Sequence, residues 1–334
     1  MAACLSSWSE IRSILDGLNK KLLKKPNLPL AISQLNSLSL RMQDEELSRH
    51  SVICHAEQAH IYHKMGDHNE ERKQYLIASH LLFDAFQVGL NGRSRVQSYF
   101  PNEIADFYGK AVRLCLDMKA LRLAGLISLE ASKILIDCEQ VEMAIEHAER
   151  AVRLLEGEFF THTQALYCLA TIHFHLYQYE NLLGDIDDLW MIVMKNRSRS
   201  LFGRRMLKDL EVITVMLLQR TKICASGRHK VFKDLYENTT IVGASENSPR
   251  LRAVDDSSLS PQEFTLFKNF LCSLSMGKVQ QARSLLFTGC STLKKETTMI
   301  SSSSSSQTKF KFLSPLAIQV IDRFLDECLG GSQK

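Results

Sequence analysis

The stretch LRLAGLISLEASKILIDCEQVEMAIEHAERAVRLLEGEFFTHTQALYCLATIHFHLYQYENLLGDIDDL, Leu121–Leu189, decides the fold. It reads as four helices in a row, separated by short turns. In Val141–Glu156 the apolar positions are Val141, Ala144, Ile145, Ala148, Ala151, Val152 and Leu155. That spacing is i, i+3, i+4, i+7, one buried helical face. Glu142, Glu146, Glu149, Arg150 and Arg153 take the opposite face. The stripe recurs in Tyr179–Met194 as Tyr179, Leu182, Leu183, Ile186, Leu189, Trp190 and Val193. Small residues sit where paired helices must touch. A row of such hairpins predicts an all-α fold, a tetratricopeptide-like α-solenoid, which serves more often as a surface for partners than as a catalyst.

Working outward, helices are expected at about Trp8–Lys25, Leu30–Leu47, Ser51–Met65 and Asn69–Val88, the third capped by Ser51. Others follow at about Glu103–Asp117, Ala120–Ile136, Gln140–Glu156, Thr161–Tyr177 and Tyr179–Met194. Lys195–Arg205 is basic and poor in apolar residues, so it reads as an exposed loop. Met206–Cys224 contains Val212–Leu218, V-I-T-V-M-L-L, which is apolar on all sides and must be buried all round. His229–Tyr236 suits one or two helical turns, and 243–260 reads as a linker. Ser260-Pro261-Gln262-Glu263 has the order of a capping box with proline in the first turn. Helices over Val279–Phe287 and Pro315–Leu329 flank a serine-rich loop, 296–309, containing the Ser301–Ser306 tract. The whole of 1–334 reads as one helical domain.

Three places share one local grammar: Met65-Gly66-Asp67 before Tyr75 and Ala78, Cys138-Glu139 before Ala144 and Ala148, and Met276-Gly277-Lys278 before Ala282. Ala59, Tyr62, Gly66, Asp67, Tyr75 and Ala78 fall at tetratricopeptide spacing. Helices joined by a short turn approach closely, and a bulky residue at the crossing would hold them apart.

Composition narrows the function classes. A 45% hydrophobic share supports a sizeable core, and six prolines in 334 residues suit long helices. A net charge of +4 is too mild to indicate nucleic-acid binding. No run approaches the roughly 18 apolar residues of a membrane span, and Met1–Lys25 lacks the order of a signal peptide. Nine cysteines with no CxxC pair point to reduced thiols and an intracellular protein.

Catalytic and ligand-binding motifs are not evident. G-x-S-x-G and G-x-x-x-x-G-K-[ST] do not occur. The histidines at 50, 55, 60 and 63, with Cys54, lack the usual zinc spacing, so no metal and no cofactor is expected. Two basic groups are candidates for an acidic partner surface: Lys20, Lys21, Lys24 and Lys25, and Arg197, Arg199, Arg204 and Arg205. Solvated helix-end charge is the plainer reading of both. In the last helix, Leu316, Ile321 and Phe324 either dock a partner or cap the helical stack.

Several segments in order resemble one known family. Lys20-Lys21-Leu22-Leu23-Lys24-Lys25-Pro26-Asn27 is similar to the opening segment of the 40-kDa huntingtin-associated protein family, the factor VIII intron-22 proteins. The likeness continues through Gln34-Leu35, Gln43–Leu47 and Leu82-Phe83, then Ala111–Leu116, Ala144–Ala151 and Tyr177–Leu183, and ends in Ser260–Phe264 and Ala282–Leu285. Collinearity over most of the chain carries the resemblance, more than any one motif. It implies a right-handed helical solenoid clasped between the two HEAT-repeat arms of huntingtin, as a heterodimer. It further implies recruitment of huntingtin to early endosomes downstream of an endosomal Rab GTPase, vesicle transport, and a cytoplasmic and nuclear location. The alternative left by the residues themselves is a generic tetratricopeptide adaptor that holds short peptides in a concave groove.

Overall fold

The computed structural model describes residues 2–19, 26–92, 99–196, 201–221, 227–238, 257–288, 307–308 and 313–330. Lys20, Lys21, Lys24, Lys25, Arg197, Arg199 and the Ser301–Ser306 tract lie outside them. So does most of the 243–260 linker. The chain is all-α, a solenoid of helical hairpins in which consecutive helices pack in chain order. It divides into two compact units, Met1–Ile172 and His173–Lys334, where the sequence reading expects one domain.

The first unit holds α1 (Ala2–Asn19), α2 (Leu28–Asp44), α3 (Ser48–Met65), α4 (His68–Gly92), α5 (Phe100–Asp117), α6 (Leu121–Asp137), α7 (Val141–Leu154) and most of α8 (Phe159–His175). Its core is built from small residues at the crossings and large ones between them. Ala59, Ala78, Ala111, Ala124, Ala131, Ala144, Ala148 and Ala151 are fully buried, with Leu82, Ile104 and Tyr108 filling the gaps. Gly125 marks the tightest approach: a Cβ there would lie 2.8 Å from the Leu155 Cγ. That is closer than real side chains come, so a side chain at 125 would force Leu155 to shift.

The turns explain why the hairpins repeat. At Gly66 the chain enters the left-handed region (φ 76°), and the Asp67 N–H donates to the Tyr62 carbonyl at 3.0 Å. This is the Schellman closure, which satisfies the last carbonyls of a helix. Glu46, Lys119, Glu139, Tyr177 and Gly277 repeat it, each followed by an N–H that reaches back five residues, at 2.7–2.9 Å. Four of these six turns therefore put a residue with a Cβ where glycine is preferred.

Ser51 does not cap α3, contrary to the sequence reading. The helix starts at Ser48 behind Leu47, which makes no side-chain cap bond. Ser51 is instead buried one turn inside, where its hydroxyl accepts from the Gln43 Nε2 at 3.0 Å.

The second unit holds α9 (Tyr179–Lys195), α10 (Leu201–Arg220), α11 (Arg228–Asn238), α12 (Pro261–Ser275), α13 (Val279–Leu286) and α14 (Pro315–Gly330). A two-residue antiparallel bridge joins Phe287–Thr288 to Gln307–Thr308. Helix α10 is the centre, packed by α9, α11 and α14. Every residue from Asp209 to Leu218 is buried, as an all-round apolar run requires. Within the expected loop at Lys195–Arg205, Lys195 ends α9 and the chain is helical again from Leu201, with Gly203 packed in van der Waals range of Val193. The capping box of α12 forms as the sequence reads. Ser260 Oγ accepts from the Glu263 N–H, and the Ser260 N–H donates to Glu263 Oε2.

Candidate functional site

Three features of the described residues offer chemistry or docking. The first is a groove of about 570 Å³ between α5 and α7. Gly109 leaves its floor open, with nothing within 4 Å of a Cβ. Arg113 and Arg150 line it together with Asp106, Glu142 and Glu146. His147 lines it too; it is buried, and its Nδ1 has no hydrogen-bond partner. Burial, and then the charge of Arg150, lower the His147 imidazole to about 4. The ring is therefore neutral at physiological pH. A mixed-charge wall with one neutral imidazole suits an extended polar segment better than an apolar ligand.

The second is the corner where α9 ends and α10 begins. Met191 and Met194 stand one turn apart on α9, and Leu201 and Phe202 open α10. All four are exposed, Met191 and Leu201 each by 69%. Arg204 and Arg205, expected as partner-binding residues, are exposed on the same turn of α10. The core beneath is closed by Val193, Leu207 and Leu210, all buried. These helix ends therefore present four apolar side chains and two cations to solvent. Exposed apolar side chains at the adjoining ends of two packed helices are candidates for contact with a partner.

The remaining members of the expected partner-binding set fall elsewhere. Leu316, Ile321 and Phe324 are buried and are not exposed to a partner, which corrects that expectation. Their cover is local. The Phe324 ring meets Tyr179 at 6.1 Å. Arg323 next to it lies 3.7 Å over Phe174 and 4.4 Å over Tyr177, and its Nη1 donates to the Phe174 carbonyl at 2.6 Å. This cation clasps α14 to the end of α8.

The third feature is a cluster that sequence reading missed. His63 Nδ1 and His68 Nδ1 each approach Glu71 Oε2 at 3.1 Å. The available signal was the i,i+3 pair His68 and Glu71 on α4, but the cluster is completed only by His63 from the end of α3, across the Gly66 turn.

Also unread in the sequence were the acids inside α10. Glu211 is fully buried and accepts from the Tyr236 hydroxyl (2.7 Å), the Ser257 hydroxyl (2.5 Å) and the Ser258 N–H (2.6 Å). Asp209 accepts from the Ser314 N–H at 2.7 Å, and burial pushes its carboxyl up to about 6. These acids stitch the segments before α12 and α14 onto the central helix, so their role is structural. On α9, Asp187 receives His229 Nε2 at 2.9 Å and pairs with Arg228, which lies 4.4 Å over Trp190.

No protein-family model matches the chain, and no curated protein matches it in sequence.

Proposed function

We propose that the chain is a non-catalytic scaffold subunit that docks on huntingtin, between the two HEAT-repeat arms of that protein, as one half of a heterodimer. The observation that carries docking is the α9–α10 corner, with Met191, Met194, Leu201 and Phe202 exposed beside Arg204 and Arg205. The identity of the partner rests on the collinear resemblance that runs from Lys20–Asn27 to Ala282–Leu285. The mechanism is burial. Covering one such side chain is worth about 1.5–3 kcal/mol, so a few anchors hold a tight interface. The arginines contribute register and encounter rate more than affinity. Through huntingtin, the same reading gives a role in recruitment to early endosomes and vesicle transport downstream of an endosomal Rab GTPase, in cytoplasm and nucleus.

Co-expression tests this reading. The chain alone is expected to be poorly soluble, and co-expression with huntingtin is expected to rescue it as a stoichiometric complex. A well-behaved monomer that ignores huntingtin would contradict it.

A second reading is favoured by the groove between α5 and α7: a tetratricopeptide adaptor that holds a short charged peptide against Arg113, Arg150 and Glu146. It calls for weak, exchangeable binding. Exchanging Arg113 and Arg150 for glutamate should abolish that binding and leave a huntingtin complex intact.

A further inference from the structure

We propose that His63, His68 and Glu71 form a binding site for a divalent transition-metal ion of the zinc class at the turn between α3 and α4. His63 lies in the last turn of α3, and His68 is the first residue of α4. Gly66, in the left-handed conformation, reverses the chain between them. That reversal brings the two imidazoles to one end of the hairpin, with ring centroids 6.1 Å apart. Glu71 follows His68 by three residues, so both stand on one face of α4.

The three ligand atoms, one from each residue, all lie within 4.8 Å of one another. Each imidazole Nδ1 is 3.1 Å from the same carboxylate oxygen, Glu71 Oε2. A tetrahedral zinc ion with bonds of about 2.0–2.2 Å holds its ligand atoms roughly 3.3–3.5 Å apart. The spacing is therefore close to that of a three-ligand site, and a small tilt of the rings completes it. The parts divide the work. The Glu71 side chain is only 6% exposed and is fixed by the fold, whereas His63 and His68 are 64% and 46% exposed and have room to tilt. The exposed side leaves a fourth position open to water, as in sites with three protein ligands.

Two imidazoles and one carboxylate select among metals. Nitrogen donors favour zinc, nickel, cobalt and copper over magnesium and calcium, which take oxygen sets. One negative ligand leaves the bound centre with a net positive charge. The ion would tie the end of α3 to the start of α4, so binding should stabilise this hairpin by an amount that rises with the logarithm of free metal. The competing arrangement has both imidazoles simply donating hydrogen bonds to Glu71, with no affinity for metal.

The test uses the full chain, stripped with chelator and titrated with zinc chloride by calorimetry, with cobalt absorption as a second readout of nitrogen ligation. The expected result is one ion per chain and a rise in melting temperature with zinc. Affinity should fall roughly tenfold or more in His63→Ala and again in His68→Ala. Both histidines are exposed, so these variants should fold, and unchanged circular dichroism checks this. Glu71→Gln should also weaken binding. The exposed Cys272 contributes a background that is equal in wild type and variants. Zinc uptake that is absent, or is identical in wild type and in both histidine variants, would overturn the proposal.

Discussion

The two units solve the same packing problem in opposite ways. In the first, each helix buries one stripe. Along α7 only Ala144, His147, Ala148 and Ala151 are buried, and the charged face stays in water. In the second, α10 is buried on all sides from Asp209 to Leu218 and carries two acids into the interior. The first unit is held by repetition: small residues at crossings and a shared turn. The second is held by a hub whose neighbours are hydrogen-bonded to it. A repeated array distributes its stability, whereas a hub concentrates it in a few side chains. Damage should therefore be graded in the first unit and severe in the second.

The sharpest break of this contrast is at Glu211. Glu211→Ala leaves the Tyr236 hydroxyl and the Ser258 N–H without an acceptor, and it opens a cavity. The expected loss is about 3–5 kcal/mol, read as early loss of hydrogen-exchange protection in α10–α12. Protection in α3–α6 should be unchanged. Equal loss in both units would refute the hub.

The next test is pH, because the two regions should respond with opposite signs. Asp209 has a folded value of about 6, above its unfolded value, so the native state holds the extra proton between roughly pH 4 and 6. Its contribution is full below that window and falls as pH rises through it. His147 has a folded value of about 4, below its unfolded value. Its contribution is full above about pH 6.5 and is lost as pH falls toward 4. Each effect is of order 2–3 kcal/mol. Asp209→Asn should flatten the first slope, and His147→Gln the second, in urea titrations across pH 4–7. Slopes that survive these changes would assign the pH dependence to other groups.

Smaller effects are expected in the first unit. Gly125→Val drives a branched side chain into Leu155, at a cost of about 1–3 kcal/mol. A neutral result would show that the α6–α7 approach can relax. Smallest of all, Glu139→Gly and Lys119→Gly remove a Cβ from the left-handed turn position. Each should stabilise by about 0.5–1 kcal/mol, seen as a small rise in melting temperature. A drop would mean that the turn side chains make contacts worth more than the backbone relief.

What could be read from the sequence follows the same division. Periodicity reveals a one-sided helix, so α7 and α9 were legible from Val141–Glu156 and Tyr179–Met194. Local turn chemistry was legible at Gly66, Gly277 and the Ser260–Glu263 capping box. The left-handed turns at Glu46, Lys119 and Tyr177 carry no glycine to announce them. The start of α10 was hidden because Leu201 and Phe202 stand in a stretch dominated by Arg197, Arg199, Arg204 and Arg205. Ser51 looked like a cap because its residue type fits one, while the true cap position holds Leu47. The acids at 209 and 211 find partners 25 to 105 residues away, beyond any local pattern. Among the expected partner-binding residues, exposure separates Arg204 and Arg205 from Leu316, Ile321 and Phe324. Amphipathic spacing alone shows that a face is covered and leaves open whether the cover is the same chain or another.

The central claim, that the α9–α10 corner is the docking face, is tested most directly by measuring the affinity of the full chain for purified huntingtin with and without Met191→Asp and Leu201→Asp. Both positions are exposed, so the double variant should keep its fold. The expected result is tight binding by the wild type and a loss of roughly a hundredfold or more in the variant. Equal affinity of the two proteins, or no binding by the wild type, would contradict it.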